Sequence, residues 1–182
     1  MKVIGVVGMP ASGKGEFSRI ASGMGVPVIV MGDMIRKAVT EAGLEPSDRN
    51  FGATANRLRA EQGMDAIARL CVPEIQRQDA PLVLVDGIRG DTEVALFRKH
   101  FPGFTLISIE SSFEDRLARI AARARSDDFT TAEELRTRDT RELGWGLGNA
   151  LKVADIHLEN KGSLTEFSER VWHLLLELGG TS

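Results

Sequence analysis

The sequence holds one cysteine, no tyrosine and only 5% aromatic residues. A lone thiol excludes an internal disulfide and a cysteine-built zinc site. Set between Leu70 and Val72 in an apolar helical context, Cys71 reads as buried and inert. Basic blocks and basic tails are missing as well, and the formal net charge is -3. This balance argues against a general binder of nucleic acid or of a membrane surface. No apolar run approaches the ~20 residues of a membrane span. Met1-Lys2 leads straight into an apolar strand pattern rather than a charged-then-apolar leader, so a cytoplasmic protein is expected. The histidines, His100, His157 and His173, are scattered too widely to offer metal-ligand spacing. Internal repeats and low-complexity linkers are also lacking.

What is present is concentrated near the start. Residues 8 to 15 read Gly8-Met9-Pro10-Ala11-Ser12-Gly13-Lys14-Gly15, directly after the apolar run Val3-Ile4-Gly5-Val6-Val7 and before a helical pattern with Phe17, Ile20 and Ala21. Glycines at this spacing let the backbone coil so that successive N–H groups point inward. The following helix adds its positive N-terminus, and Lys14 adds a mobile cation. Together they form a cradle for a polyphosphate. The pattern G-x-x-x-x-G-K-[ST] ends in a hydroxyl residue that ligates magnesium, and here Gly15 holds that place.

The rest of the chain alternates short β-branched runs with longer helical patterns, which implies a parallel sheet. Strands are predicted at 3–7, 26–30, 82–85, 105–109 and 156–158, and helices near 16–22, 33–42, 65–78, 91–99, 112–124 and 131–152. Capping boxes mark Thr131 with Glu134 and Ser163 with Glu166, the second opening an amphipathic C-terminal helix. At 182 residues with 42% apolar content, the expectation is a single α/β domain, a P-loop NTPase three-layer sandwich with a five-stranded parallel sheet and helices on both faces. Residues 43–64, rich in Gly, Asn and Arg, and residues 123–141, dense in Arg and Asp, fit the alternation badly. Both are expected to cover substrate.

Several motifs together resemble the nucleoside monophosphate kinases of the adenylate-kinase type. The loop GMPASGKG is similar to that family's proline-containing, glycine-ended phosphate loop, in which magnesium is held largely through water. Gly32-Asp33-Met34-Ile35-Arg36 resembles the family's Gly-Asp-x-x-Arg, whose arginine grips the acceptor phosphate. Asp86-Gly87-Ile88-Arg89 resembles Asp-Gly-Phe-Pro-Arg with one residue missing. The segment Arg123-Ala124-Arg125-Ser126-Asp127-Asp128 resembles the short lid, with Arg136, Arg138 and Arg141 following. Ala154 to Ser163, including Asn160 and Gly162, resembles the final strand and loop bordering the donor adenine in adenylate and dephospho-coenzyme A kinases. Arg138-Asp139 and Gly144-Trp145-Gly146 add a likeness to an archaeal family of adenylate-kinase-related proteins.

The resemblance implies an ATP- and magnesium-dependent kinase acting on small-molecule nucleotides, with an acceptor-side insertion over 43–80 and a lid over 123–141. Lys14, Arg89, Arg125 and Arg138 would act on the transferred group. Residues 8–16, that is Gly8, Met9, Pro10, Ala11, Ser12, Gly13, Lys14, Gly15 and Glu16, with Arg123, Asn160 and Gly162, would hold ATP. Gly32, Asp33, Arg36, Arg59, Arg89, Glu93 and Arg141 would hold the acceptor, and Asp86 a magnesium-bound water. Phosphoryl transfer asks mainly for alignment and positive charge, which arginines supply. Bland readings stand beside these roles. Arg36 and Asp33 sit three apart and form an intrahelical pair in one reading. Arg116 and Arg119 read as a solvated helix face, and Arg57 as a surface residue. Trp145 reads as packing for the lid helix.

Two departures matter for specificity. Glu16 and Met31 stand where adenylate kinases usually carry threonine. Glu93 falls where they place a glutamine that reads adenine, and a carboxylate there suits the donor edge of guanine; AMP is still the expected acceptor on the overall likeness. Dephospho-coenzyme A kinases, which phosphorylate a hydroxyl, share Gly25-Val26-Pro27-Val28-Ile29 but place their base where this chain has Val30. Asp33 is the remaining substitute for that base. A nucleotide-responsive binding protein is the alternative outside catalysis.

Overall fold

The computed structural model describes residues 1–123 and 131–179. The strands β1 (Lys2–Val7), β2 (Val28–Val30), β3 (Leu82–Ile88), β4 (Thr105–Glu110) and β5 (Ile156–Glu159) form one sheet in the order β2-β3-β1-β4-β5. Every pairing is parallel. Strands buried on both faces read as continuous Val, Ile and Leu runs, and β1 and β3 do so. The helices are α1 (Lys14–Gly23), α2 (Met31–Glu41), α3 (Asp48–Gln62), α4 (Ala66–Gln76), α5 (Asp91–His100), α6 (Phe113–Arg123), α7 (Ala132–Gly144), α8 (Leu147–Lys152) and α9 (Leu164–Glu177). No described helix is long and apolar enough to cross a membrane.

The sheet separates two cores. Ile4, Val6, Leu84 and Ile107 face α1 and α9 through Phe17, Ala21, Phe167, Val171 and Leu175. Val3, Val7, Val83 and Val85 face the opposite side, where α4, α5 and α8 supply Ile67, Cys71, Phe97 and Leu147. Parallel strands all end at one edge, so the segments that follow β1, β3 and β5, and the start of α2 after β2, meet there. That edge is the usual ligand crevice of an open α/β sheet.

Three boundaries differ from those predicted, each for a local reason. β2 begins at Val28 because Pro27 has no N–H for the ladder and contributes only its carbonyl, which accepts from Leu84 N at 2.9 Å. The helix predicted at 131–152 breaks into α7 and α8 at Gly146, whose φ of 97° no continuing helix adopts. The stretch 43–64 contains α3, opened by Ser47, whose hydroxyl accepts from Asn50 N at 3.2 Å.

Phe97 is fully buried and its ring stacks 5.6 Å from that of Phe104 and 6.4 Å from that of Phe101. Phe97→Ala is expected to lower stability by about 3–5 kcal/mol. Urea denaturation checks this, with the midpoint falling and the slope unchanged.

Candidate functional site

The loop after β1 is shaped by two left-handed residues, Ala11 with φ 61° and Gly13 with φ 117°. A non-glycine residue there is uncommon and marks a conformation the surroundings impose. A Cβ on Gly13 would run into the amide of Asn160, so only glycine fits. Asn160 itself is buried and donates Nδ2–H to the Ser12 carbonyl at 2.8 Å. β5 and the loop after it therefore buttress the cradle. Gly13 precedes α1 with no side chain capping the helix, which leaves the first-turn amides open to an anion. Space around Gly15 is clear, with no atom within 4 Å of a Cβ placed on it.

A cavity of about 950 Å³ opens over this loop. Pro10, Ala11, Gly13, Lys14, Gly15 and Glu16 line it, as do Asn160 and Gly162. Gly8 and Met9 take part differently: their carbonyls accept from Lys14 Nζ at 2.6 and 2.9 Å. Ser12 lies fully buried beneath. Gly32, Arg36, Arg59, Arg89, Arg138 and Arg141 also wall the cavity. Sequence positions from 10 to 164 are thus brought to one hollow.

Asp86 ends the β2-paired part of β3 and lines the cavity, its Oδ2 accepting from Ser18 Oγ at 2.7 Å. The hydroxyl missing at Gly15 is therefore replaced, one turn along α1, by Ser18 as the partner of this carboxylate. No group of three or more His, Cys, Asp or Glu residues placed to hold a metal occurs among the described residues. One carboxylate with a hydroxyl beside it suits a magnesium ion that keeps most of its ligands as water and phosphate oxygen, and these residues fit such an ion.

Several sequence expectations need correction. Glu93 does not reach the cavity: it is fully buried, its Oε1 accepts from Arg59 Nη2 at 2.9 Å, and its Oε2 caps the amides of Arg89 and Gly90 at 2.7 and 3.1 Å. Burial raises its pKa above the usual carboxylate range, against the pull of Arg59. The proposal that it reads a base edge fails on this geometry. Asp33 is not part of the cavity wall and pairs with Arg36 at 2.5 Å, as the bland reading had it. Arg116 is buried rather than solvated, held bidentate by Asp139 at 2.8 and 2.7 Å and donating to the Pro10 carbonyl at 3.1 Å. Arg119 lines the cavity and donates to Ser111 Oγ and to the Asn160 carbonyl. Arg125 lies outside the described residues, as does the Arg123 side chain.

Three residues that the sequence reading passed over, Asp48, Gly52 and Glu142, belong to the site. Asp48 opens α3 and receives Arg141 bidentate at 2.9 and 3.0 Å, so α3 and α7 are joined across the cavity. Gly52 lets Arg141 pass: a Cβ there would lie 2.8 Å from its Nη1. Glu142, 1% exposed, lies between Arg89 Nε at 2.8 Å and Arg138 Nε at 2.9 Å. Trp145 lies at the C-terminal cap of α7, its Nε1 donating to Asn56 at 2.6 Å and its ring 4.3 Å below the Arg59 guanidinium.

The electrostatics follow from burial. Lys14 is brought down from 10.5 to about 7, first by loss of hydration and then by Arg89, against the attraction of Glu142 and Asp86. Burial alone would raise the Glu142 carboxyl, but Arg89, Arg138 and Lys14 overcome it and hold it at about 2. Cys71, as expected, is buried and its thiol is pushed up to about 12.

Comparison with known proteins agrees with this architecture. The family model described as AAA domain matches residues 4–142. A UPF0200 protein of Methanoregula boonei is 68% identical over 175 residues, covering 96% of each chain. One from Methanoculleus marisnigri is 63% identical over 180 residues, covering 99% of this chain and 98% of its own. Among solved structures, TT1252 of Thermus thermophilus superposes with a TM-score of 0.68 at 22% identity, covering 98% of both chains. A dephospho-CoA kinase of Campylobacter jejuni gives 0.62 at 18% identity, again covering 98% of both. A gluconokinase of Sinorhizobium meliloti gives 0.59 at 19% identity, covering 97% of this chain and 93% of that one. The shared fold is that of the P-loop kinases.

An anion in the cradle restores the proton that burial removes from Lys14. Above pH 7, tripolyphosphate binding should therefore take up protons, approaching one per site at alkaline pH, and affinity should fall as pH rises. Calorimetry in two buffers of different ionisation heat checks this, and Lys14→Met should abolish the uptake. Without ligand the sign reverses: between about 7 and 10.5 the unfolded lysine holds a proton that the folded one has lost, so stability rises with pH across that window.

Proposed function

The chain belongs to the UPF0200 family, and on that premise we propose that it is a magnesium-dependent phosphotransferase that moves the γ-phosphoryl group of ATP to a nucleoside monophosphate, AMP foremost. The observation that carries this reading is the convergence on one cavity of an uncapped phosphate loop, its Lys14, and the arginines Arg36, Arg89, Arg138 and Arg141. A loop alone would serve any nucleotide binder. Arginines from α2, α7 and the segment after β3 facing the same hollow are what a second phosphate requires.

The division of labour follows from position. First-turn amides of α1 and Lys14 hold the triphosphate tail. Arg119, beside Asn160 and Gly162 at the loop end of the cavity, is placed to cover the donor base. Arg36, Arg89 and Arg138 grip the acceptor phosphate and neutralise charge that develops on the equatorial oxygens in transit. Asp86, supported by Ser18, would hold magnesium through water. Magnesium bound with the triphosphate would supply the remaining neutralising charge. The segment 123–141 serves as the lid and α3 as the acceptor-side cover.

The acceptor is anionic in this reading because, among the described residues, each carboxylate lining the cavity is already engaged. Asp48 is taken by Arg141, Glu142 by Arg89 and Arg138, Glu16 by Arg19, and Asp86 by Ser18. A phosphate acceptor is ionised near neutral pH and needs no base. The likeness to a dephospho-CoA kinase and a gluconokinase is met by the fold without that requirement.

A coupled assay of ADP release with AMP, GMP, CMP and UMP tests the reading, with AMP expected to turn over fastest. Arg89→Ala should lower kcat by about 10²–10³, and Lys14→Ala should lose ATP binding and turnover together. Tight ATP binding with no ADP formed from any acceptor would make the protein a nucleotide sensor instead.

A further inference from the structure

Glu142 divides its two carboxylate oxygens between two guanidinium groups from different parts of the chain. Oε2 lies 2.8 Å from Nε of Arg89, at the end of β3, and Oε1 lies 2.9 Å from Nε of Arg138, one turn back on α7. Both contacts are made at Nε, the edge nearest the aliphatic stem. The Arg138 contact is a hydrogen bond, which fixes the plane and direction of that rigid guanidinium's Nη fork. The Arg89 contact is an ion pair without hydrogen-bond geometry, so it holds the second guanidinium by charge and distance. One carboxylate touching both therefore sets the distance between the two forks. Its side chain is 2% exposed, and a carboxylate so deeply buried is retained only against such partners.

We propose that Glu142 is a positioning residue that presents Arg89 and Arg138 as a fixed pair to the acceptor phosphate. The inference rests on the phosphotransfer reading. The carboxylate contacts the arginines and none of the loop amides, and it reaches the cradle through space by its attraction for Lys14, so its removal should weigh unequally on two functions that share one cavity. The triphosphate cradle, built by the loop, Lys14 and Asn160, should survive. The grip on a second anion beyond it should not. Glu142→Gln keeps the shape but places an amide N–H against an arginine N–H, so only one of the two contacts can persist. Glu142→Asp keeps the charge but is one methylene too short to span both.

The probes are inorganic tripolyphosphate, which the cradle holds alone, and linear pentapolyphosphate, which is long enough to reach the arginines as well. By calorimetry, the wild-type protein should bind the longer chain about tenfold more tightly, the worth of one good charge-assisted contact. In Glu142→Gln, affinity for tripolyphosphate should fall slightly, through the weakened charge on Lys14, while the advantage of the longer chain disappears, and Glu142→Asp should lie between the two. If a nucleoside monophosphate is turned over, kcat should fall in the same order with the ATP KM little changed. An undiminished chain-length advantage in Glu142→Gln, or equal loss for both probes, would overturn the inference and leave the phosphotransfer reading standing. Failure of the wild-type protein to bind tripolyphosphate would overturn that reading first. Should Glu142→Gln not fold, Glu142→Asp decides: a wild-type advantage there means that charge alone matters, and positioning is refuted.

Discussion

Positive charge gathered in a partly buried hollow must be balanced before any ligand arrives, and this constraint shapes the structure around the cavity. Lys14, Arg36, Arg59, Arg89, Arg138 and Arg141 all border the same space. Left to themselves they would repel one another in a medium that screens poorly. The fold answers with internal carboxylates: Glu142 between Arg89 and Arg138, Asp48 on Arg141, Glu93 on Arg59 and Asp33 on Arg36. Lys14 turns instead to neutral acceptors, the carbonyls of Gly8 and Met9, and its hold on its proton is weakened. A polyanion entering this space meets donors that are already aligned.

The same pairs connect elements that the sheet alone would leave independent. Asp48 and Arg141 join α3 to α7, and Arg116 ties α6 to Asp139 on α7 and to the Pro10 carbonyl of the loop. A displacement of α7 is therefore felt at both the acceptor wall and the phosphate loop. Bidentate guanidinium–carboxylate contacts are directional, so they transmit orientation as well as attraction.

Legibility in the sequence followed physical range. The sheet was readable because strands buried on both faces are continuous apolar runs, and the loop because its glycines and lysine are adjacent. Asp86, Arg36, Arg89, Arg138, Asn160 and Gly162 were found through short motifs whose neighbours fix their direction, and all line the cavity. Glu142 was missed because an arginine four places before a glutamate is the ordinary signature of an exposed helix pair; only burial distinguishes it. Arg116 was misread for the same reason, since helical spacing gives a face and not its environment. Glu93 shows the opposite error. Its position was inferred by counting from Arg89, and the side chain turns inward to cap its own helix and to meet Arg59, a partner 34 residues away.

The bond from Asn160 to the Ser12 carbonyl spans 148 positions of chain. Although the loop leaves the ribosome ahead of the strands that follow it, the contact that fixes its curvature cannot form until the fifth strand has been synthesised and has docked beside β4. Such a distant closure makes the cradle a late event in folding. A nascent or truncated chain lacking this strand would carry the complete motif without the shape that gives it meaning.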